Sequence, residues 1–526
     1  MQRDIKQLKD TVFDVIVVGS GIHGACIARD AALRGMKVAL IDKSDLCAAT
    51  SHNSLKTIHG GIRYLQHLNF KRTVESINEQ KFWLATAPHL VKPLPFLMPT
   101  YGYGSRGSEA MWAGIKLYEA LAVGRNKTIP DNRKIPNGKI VSKTDCLSIA
   151  DGIDKTGLRG GAIWYDAQVE DADKAVIQIA QDAYEHGSVI ANYVKATELL
   201  IDNKQVTGLL AKDQLNGDSL EIKGKMVVNA TGPWAGQWLK QNQQHLKNSP
   251  TLPLTKSMNI VTKSIFPEHA VGIKSTLDSD SVVGSSKRLY FIVPWRGKSI
   301  IGTTHFHYDG EIEQATQSIE TTTAEIKHFV DEINQAYPAA DLSLDDVLYC
   351  YQGLTPANDE SQHPNATRLN HSKVLDHQIE DSISGLISIV SVKWTTARSV
   401  AERAVDLIAE KFGNKQTCQT HRLPIKDTSL KTVTQLDEHS SNEQLSAFVE
   451  HAIKQEMAIS LADLVFRRTD AVMTNSLTSE QIMFIANTMA KQLNWDETEQ
   501  KRQFDILLKS WLQPDLYQSL QQMTSQ

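Results

Sequence analysis

The chain contains no run of about 18 uncharged apolar residues, so no membrane-spanning helix is expected. Its N-terminus, MQRDIKQLKDT, lacks the apolar stretch of a secretory signal, which predicts a cytoplasmic protein. Cysteine is sparse. The five residues Cys26, Cys47, Cys146, Cys350 and Cys418 are odd in number, widely spread and never in a C-x-x-C pair. This pattern excludes a disulfide framework and gives no sign of a zinc or other metal centre. Neither sign of charge dominates: 56 Lys and Arg against 60 Asp and Glu leave a net charge of -4, and nucleic acid is not an expected partner.

With 526 residues the chain exceeds what one hydrophobic core supports, and two or three units are expected. The first shows itself in "VIVVGSGIHGACIARDAALRG", an apolar strand running through Gly19, Gly21 and Gly24 into a helix. In a G-x-G-x-x-G turn the first glycine permits the bend, the second admits a pyrophosphate to the helix N-terminus, and the third lets helix and strand pack closely. The following strand, "KVALID", ends at Asp42, whose carboxylate can accept hydrogen bonds from ribose hydroxyls. Strand, glycines, helix, strand and terminal acid together specify a dinucleotide site, and NAD and FAD both fit it. The next segment, "DLCAATSHNSLKTIHGGIRYLQH", offers Thr50, Ser51, Ser54 and Lys56 to a pyrophosphate and ribityl chain. His59, Gly60 and Gly61 then allow backbone to approach a flat ring, although an ordinary polar loop has the same composition.

The stretch "ATSHNSLKTIHGGIRYLQHLNF" resembles the flavin loop of FAD-dependent glycerol-3-phosphate dehydrogenases, which belong to the D-amino-acid-oxidase-like flavoproteins. "VVNATGPWAGQW", "FIVPWRGKSIIGTT" and "VKWTTARSVAERAVD" resemble further motifs of that family in the same order. The resemblance covers nearly the whole chain and implies FAD rather than NAD. It also implies an α/β fold: a Rossmann-like FAD domain of the glutathione-reductase type, a β-sheet substrate domain and a C-terminal helical cap. The expected boundaries are 13–87, 156–252 and 345–412 for the FAD domain and 88–155 and 253–344 for the substrate domain. A polar linker over 413–443 and a helical domain over 444–526 complete the chain. Beyond the loop, the resemblance adds Ser20, Ile22, Lys43, Val194, Ala230, Gly232, Lys393, Trp394 and Thr395 to the cofactor site. Thr395 and Thr396 are expected to cap the helix that follows them.

In such enzymes a secondary alcohol loses a hydride to flavin, which requires an anion-binding cluster and a base beside the hydroxyl. The resemblance places Arg63 and Lys393 at the substrate, with Tyr64 and Arg398 beside them. Several positions depart from the family pattern. "YQGLTPANDE" has Thr355 where the family has a phosphate-clamping arginine, "KSMN" puts Asn259 in a histidine position, and "SVK" replaces G-G-K. "GTTH" ends in His305, and His305 or His307 could serve as base or phosphate donor, unless both are plain loop histidines. The expected substrate is glycerol 3-phosphate or a related phosphorylated or acidic polyol; because a threonine hydroxyl cannot reproduce a guanidinium fork, glycerol 3-phosphate itself is not expected to be the best one. Electrons would pass to quinone or another acceptor. An amine or amino-acid oxidase and a non-catalytic flavin-bound module are the alternatives, and a homodimer is compatible with either. The helix in "SEAMWAGIKLYEALAVG" is either buried core or a peripheral contact with the inner membrane. The Arg467–Arg468 pair is expected on a solvated helix face.

Overall fold

The computed structural model describes residues 1–103, 107–242, 246, 253–279, 286–308, 321–357, 372–391, 393–430, 435–509 and 514–524. Strand Val12–Val18 occupies the centre of the first sheet, parallel to Val38–Ile41 on one side and to Ser219–Asn229 on the other. Val189–Ala191 and Leu386–Val390 extend the parallel array, and Lys373–Asp376 closes one edge in the antiparallel sense. The two-residue period of the central strand splits its side chains between two cores. Val15 and Val17 pack with helices Ile22–Leu33, Ala172–Glu185 and Ala397–Phe412. Ile16 and Val18 alternate to the opposite face and meet the antiparallel strands Val194–Asp202 and Gln205–Asp213, and Phe13, out of that alternation at the start of the strand, joins the same core.

The second sheet is nine-stranded and mostly antiparallel. Three of its strands fall in segments expected for the FAD domain; one is Thr57–Ile58, a two-residue strand paired with Leu158–Val169. Leu158–Val169 pairs along its length with Val91–Tyr101, and Val347–Pro356 pairs with Leu254–Thr262, so both belong to the substrate sheet rather than to the FAD domain. Each borders nucleotide-domain segments in sequence, but strand partnership is a long-range property that local pattern does not encode.

Residues 413–430, the first part of the polar segment expected as a linker, form a strap fitted against the nucleotide domain. Ile425 is buried in the nucleotide-domain core, its N–H donates to the Thr86 carbonyl, and Arg29 donates to the carbonyls of Leu423 and Pro424. The C-terminal helices start at capping boxes, Ser441 with Gln444, Ser460 with Asp463 and Thr478 with Gln481. Their apolar faces share a core with Val261, Trp295, Tyr349 and Tyr351 of the substrate sheet. Among the described residues no helix is long and apolar enough to cross a membrane. Helix Ser108–Leu121 is not a fully buried core helix: Ile115 and Tyr118 face inward, while Trp112 and Leu117 are 54% and 42% exposed.

Candidate active site

A cavity of about 2110 Å³ opens between the two sheets and the C-terminal helices. Its nucleotide-domain wall begins where strand Val12–Val18 turns into helix Ile22–Leu33. Gly19 has φ +105, and a Cβ there would lie 2.5 Å from the carbonyl oxygen of Ala230. A Cβ on Gly24 would lie 1.7 Å from the carbonyl oxygen of Gly19, so this glycine closes helix onto turn and does not itself line the cavity. The Ile22 N–H at the helix start donates to Ser51 Oγ at 3.0 Å. Asp42 borders the cavity, and one of its carboxylate oxygens accepts from both the N–H and the hydroxyl of Ser20, at 2.7 and 2.9 Å. Burial raises its pKa against these hydrogen bonds, which favour the charged form.

Of the other cofactor positions, Lys43, Thr50, Ser54, His59, Gly61, Ala230, Gly232, Trp394 and Thr395 line the same cavity. Four expectations need correction. Lys56 is turned completely inward, 3.6 Å from the Asp173 carboxylate and 4.6 Å from the centre of the Tyr351 ring, because a buried ammonium requires such partners. Ser20 holds Asp42 instead of reaching the cavity. Val194 is buried, and its N–H donates to the Asp42 carbonyl at 2.6 Å. Gly60 lies behind the wall, where its N–H donates to Asp166 at 2.6 Å and a Cβ would collide with the Tyr118 hydroxyl. Thr396 takes the N-cap position of helix Ala397–Phe412 but makes no side-chain capping bond.

The wall continues through Arg63, Tyr64, Arg72 and Lys393. Lys393 Nζ lies 4.0 Å from the centre of the Tyr64 ring and the Arg72 guanidinium carbon 4.2 Å from it. Among the described residues neither cation, nor Arg63, has a carboxylate in ion-pair contact. Burial first, and the Arg72 charge second, lower the Lys393 pKa to about 7. His59 is held at about 3 by burial and then by Lys393, Arg63 and Arg72, which makes it a neutral imidazole. Arg398, expected beside the substrate, points away from the cavity. It forms a buried ion pair with Glu79, with Nε contacts of 3.0 and 3.1 Å, and also reaches Glu402.

Opposite stands the substrate sheet. Ser257 Oγ lies 3.0 Å from His305 Nδ1 and 3.3 Å from the Thr355 hydroxyl, and Asn259 accepts from the Thr303 hydroxyl at 2.7 Å. The side chain of His307 lies outside the described residues. Sequence reading missed Arg72, which looks like one more charge on a polar helix. It also misplaced Arg467 and Arg468: both clasp Asp45 beneath the cofactor loop, Arg468 as a two-pronged fork with contacts of 2.9 Å.

Residues 14–375 match the family model described as FAD dependent oxidoreductase, and residues 425–500 match the C-terminal domain of alpha-glycerophosphate oxidase. The chain is 31% identical to a glycerol-3-phosphate dehydrogenase of Synechocystis sp., covering 95% of this chain and 96% of that protein. The chain belongs to the FAD-dependent oxidoreductases, among the glycerol-3-phosphate dehydrogenases. The flavoenzyme is also 30% identical to an aerobic glycerol-3-phosphate dehydrogenase of Bacillus subtilis, over 90% of this chain and 82% of that one. In fold it is similar to the glycerol-3-phosphate dehydrogenase from Bacillus halodurans complexed with FAD, with a TM-score of 0.72, 23% identity and coverage of 96% and 95% of the two chains. The buried Nε1 donors of Trp234 and Trp394, both on the cavity wall, have no protein acceptor among the described residues, as expected of a site shaped for a polar cofactor.

Proposed function

We propose that the enzyme oxidises the secondary alcohol of a polyol bearing a phosphate or carboxylate, glycerol 3-phosphate or a relative of it. The observation that carries this reading is the pair Arg63 and Lys393, cations without acidic partners among the described residues, which share one cavity with the glycine turn of the nucleotide domain. FAD supplies the hydride acceptor. Gly19, Gly21 and Ser51 suit its pyrophosphate, Asp42 its ribose, and the backbone from His59 to Gly61 and at Trp394–Thr395 its ring system. Arg63, Tyr64 and Lys393 then orient the anionic end of the substrate, and its hydroxyl end meets the Ser257, Asn259 and Thr355 wall. His305, fixed by Ser257, accepts the hydroxyl proton as the hydride leaves.

Electrons go on to quinone or another carrier. Support for a peripheral membrane seat on the cytoplasmic side is the outer face of helix Ser108–Leu121, with Trp112 and Leu117 exposed and Val123 85% exposed just beyond it. The test is anaerobic flavin bleaching by a panel of polyol phosphates, hydroxy acids, amino acids and unphosphorylated polyols. Bleaching by phosphorylated or acidic polyols is expected; bleaching by amino acids alone refutes the reading.

A further inference from the structure

Helix Phe70–Thr86 brings Arg72 onto the cavity wall, where its guanidinium stacks on Tyr64 within 4.2 Å of the ring centre. The same ring carries Lys393 at 4.0 Å, and Arg63 is the preceding residue. The acid best placed to neutralise Arg72, Glu75 on the next turn, is engaged elsewhere: it accepts from the Ser399 hydroxyl at 3.0 Å and lies 3.9 Å from Arg403. Two cations thus converge on one aromatic ring and the neighbouring Arg63 lines the same cavity, with no carboxylate in ion-pair contact with any of the three among the described residues. Crowding of like charge in a half-buried site is unfavourable unless an anion completes it. One carboxylate would balance a single cation, whereas a phosphate monoester offers up to two charges and three acceptor oxygens.

We propose that Arg72 is a specificity-determining residue that completes, with Arg63 and Lys393, a subsite for a phosphate monoester on the Tyr64 side of the cavity. The planar guanidinium is already ordered by stacking, so its donors are presented to a phosphate at little entropic cost. The opposite wall, where Thr355 stands, supplies hydroxyl and imidazole groups alongside Arg288 and Lys256, the latter paired with Glu325.

The proposal rests on the reading that this cavity takes an anionic substrate, and its test is independent of turnover. Inorganic phosphate is titrated into the FAD-loaded enzyme and followed by the flavin absorbance difference, for wild type, Arg72→Leu and Arg72→Lys, with cofactor content and melting temperature recorded for each. Saturable binding by wild type is expected, weakened at least about tenfold by Arg72→Leu, as loss of one charge-assisted contact requires. Arg72→Lys, which keeps the charge but loses the fork, should fall between the two, and it decides the matter if the leucine variant does not fold. Phosphate affinity unchanged in the variants, no phosphate binding by wild type, or loss of FAD on substitution overturns the proposal. If phosphate binds as expected but no phosphorylated polyol bleaches the flavin, the subsite stands and the proposed reaction falls.

Discussion

Lys393 gives the site a pH dependence whose sign follows from the structure. Burial and the neighbouring Arg72 bring its pKa down to about 7, opposed only weakly by Glu75. The other groups facing it do not compete as switches between pH 6 and 9: His59, at about 3, is neutral throughout, and arginine side chains keep their charge. Protonated Lys393 attracts an anion and neutral Lys393 does not, so affinity is present below pH 7 and lost as pH rises through it. A lysine of pKa 7 is about 90% protonated at pH 6 and about 10% at pH 8, which makes the expected loss roughly tenfold over that interval. The fall ends where the remaining arginines carry the binding alone. One charge-assisted contact is worth about 1.5–3 kcal/mol, which sets the full decline at roughly ten- to a hundredfold. Sulfate is the appropriate probe because its own charge is constant in this range, and its dissociation constant can be followed by flavin absorbance at each pH. Lys393→Met should bind sulfate weakly at every pH and show no slope. A flat wild-type profile refutes the reasoning, and so does a slope that survives in Lys393→Met.

Other outcomes are expected. Arg398→Ala strands the buried Glu79 carboxylate and should cost about 3–5 kcal/mol of stability in chemical denaturation, while sulfate affinity in the FAD-loaded variant stays unchanged. Asp45→Ala leaves Arg467 and Arg468 without their shared carboxylate, so limited proteolysis should release the C-terminal helices faster than in wild type. The five cysteines are buried and free, and strong reductant should leave the melting temperature where it is. Thr355→Arg places a guanidinium opposite Tyr64 and should improve flavin reduction by glycerol 3-phosphate by roughly ten- to a hundredfold. Efficient turnover by wild type with no gain in the variant refutes the expectation that another substrate is preferred.

The parts legible in the sequence are those whose geometry is local. The turn Gly19–Gly24 and Asp42 sit within one strand–helix–strand unit, where Gly19 and Gly24 are demanded by backbone atoms of Ala230 and Gly19 and Gly21 faces the Ser51 side chain. The loop from Thr50 to Gly61 has the composition of a cofactor loop, but composition does not say which side chain turns under it. Lys56 does, because Asp173 and Tyr351 wait beneath, and both come from distant segments. Arg398 was misjudged for the same reason: its partner Glu79 lies on a helix more than 300 residues earlier. Arg72 gives no local signal at all. In "FKRTVESINEQ" it is one charge among several on an amphipathic helix, and only the crossing of that helix over Tyr64 makes it part of the cavity.

The two walls bear on the expectation that Thr355 stands where an arginine would clamp the phosphate. A guanidinium at Thr355 would stand beside the Ser257–His305 pair, whereas the subsite proposed above holds the phosphate at Arg63, Arg72 and Lys393 on the Tyr64 side. Moving the charged end to that side reverses which part of the substrate must be polar and uncharged. The hydroxyl-rich wall then has hydrogen bonds to offer where the family offers a charge, and a site of hydroxyl groups discriminates strongly only when the substrate can answer each of them. A longer polyol chain anchored at Tyr64 would reach Ser257, Asn259 and Thr355 together, whereas a three-carbon substrate would reach fewer of them. If the phosphate is held at Arg72, a larger phosphorylated polyol should reduce the flavin more efficiently than glycerol 3-phosphate, and equal efficiency for the two refutes that expectation.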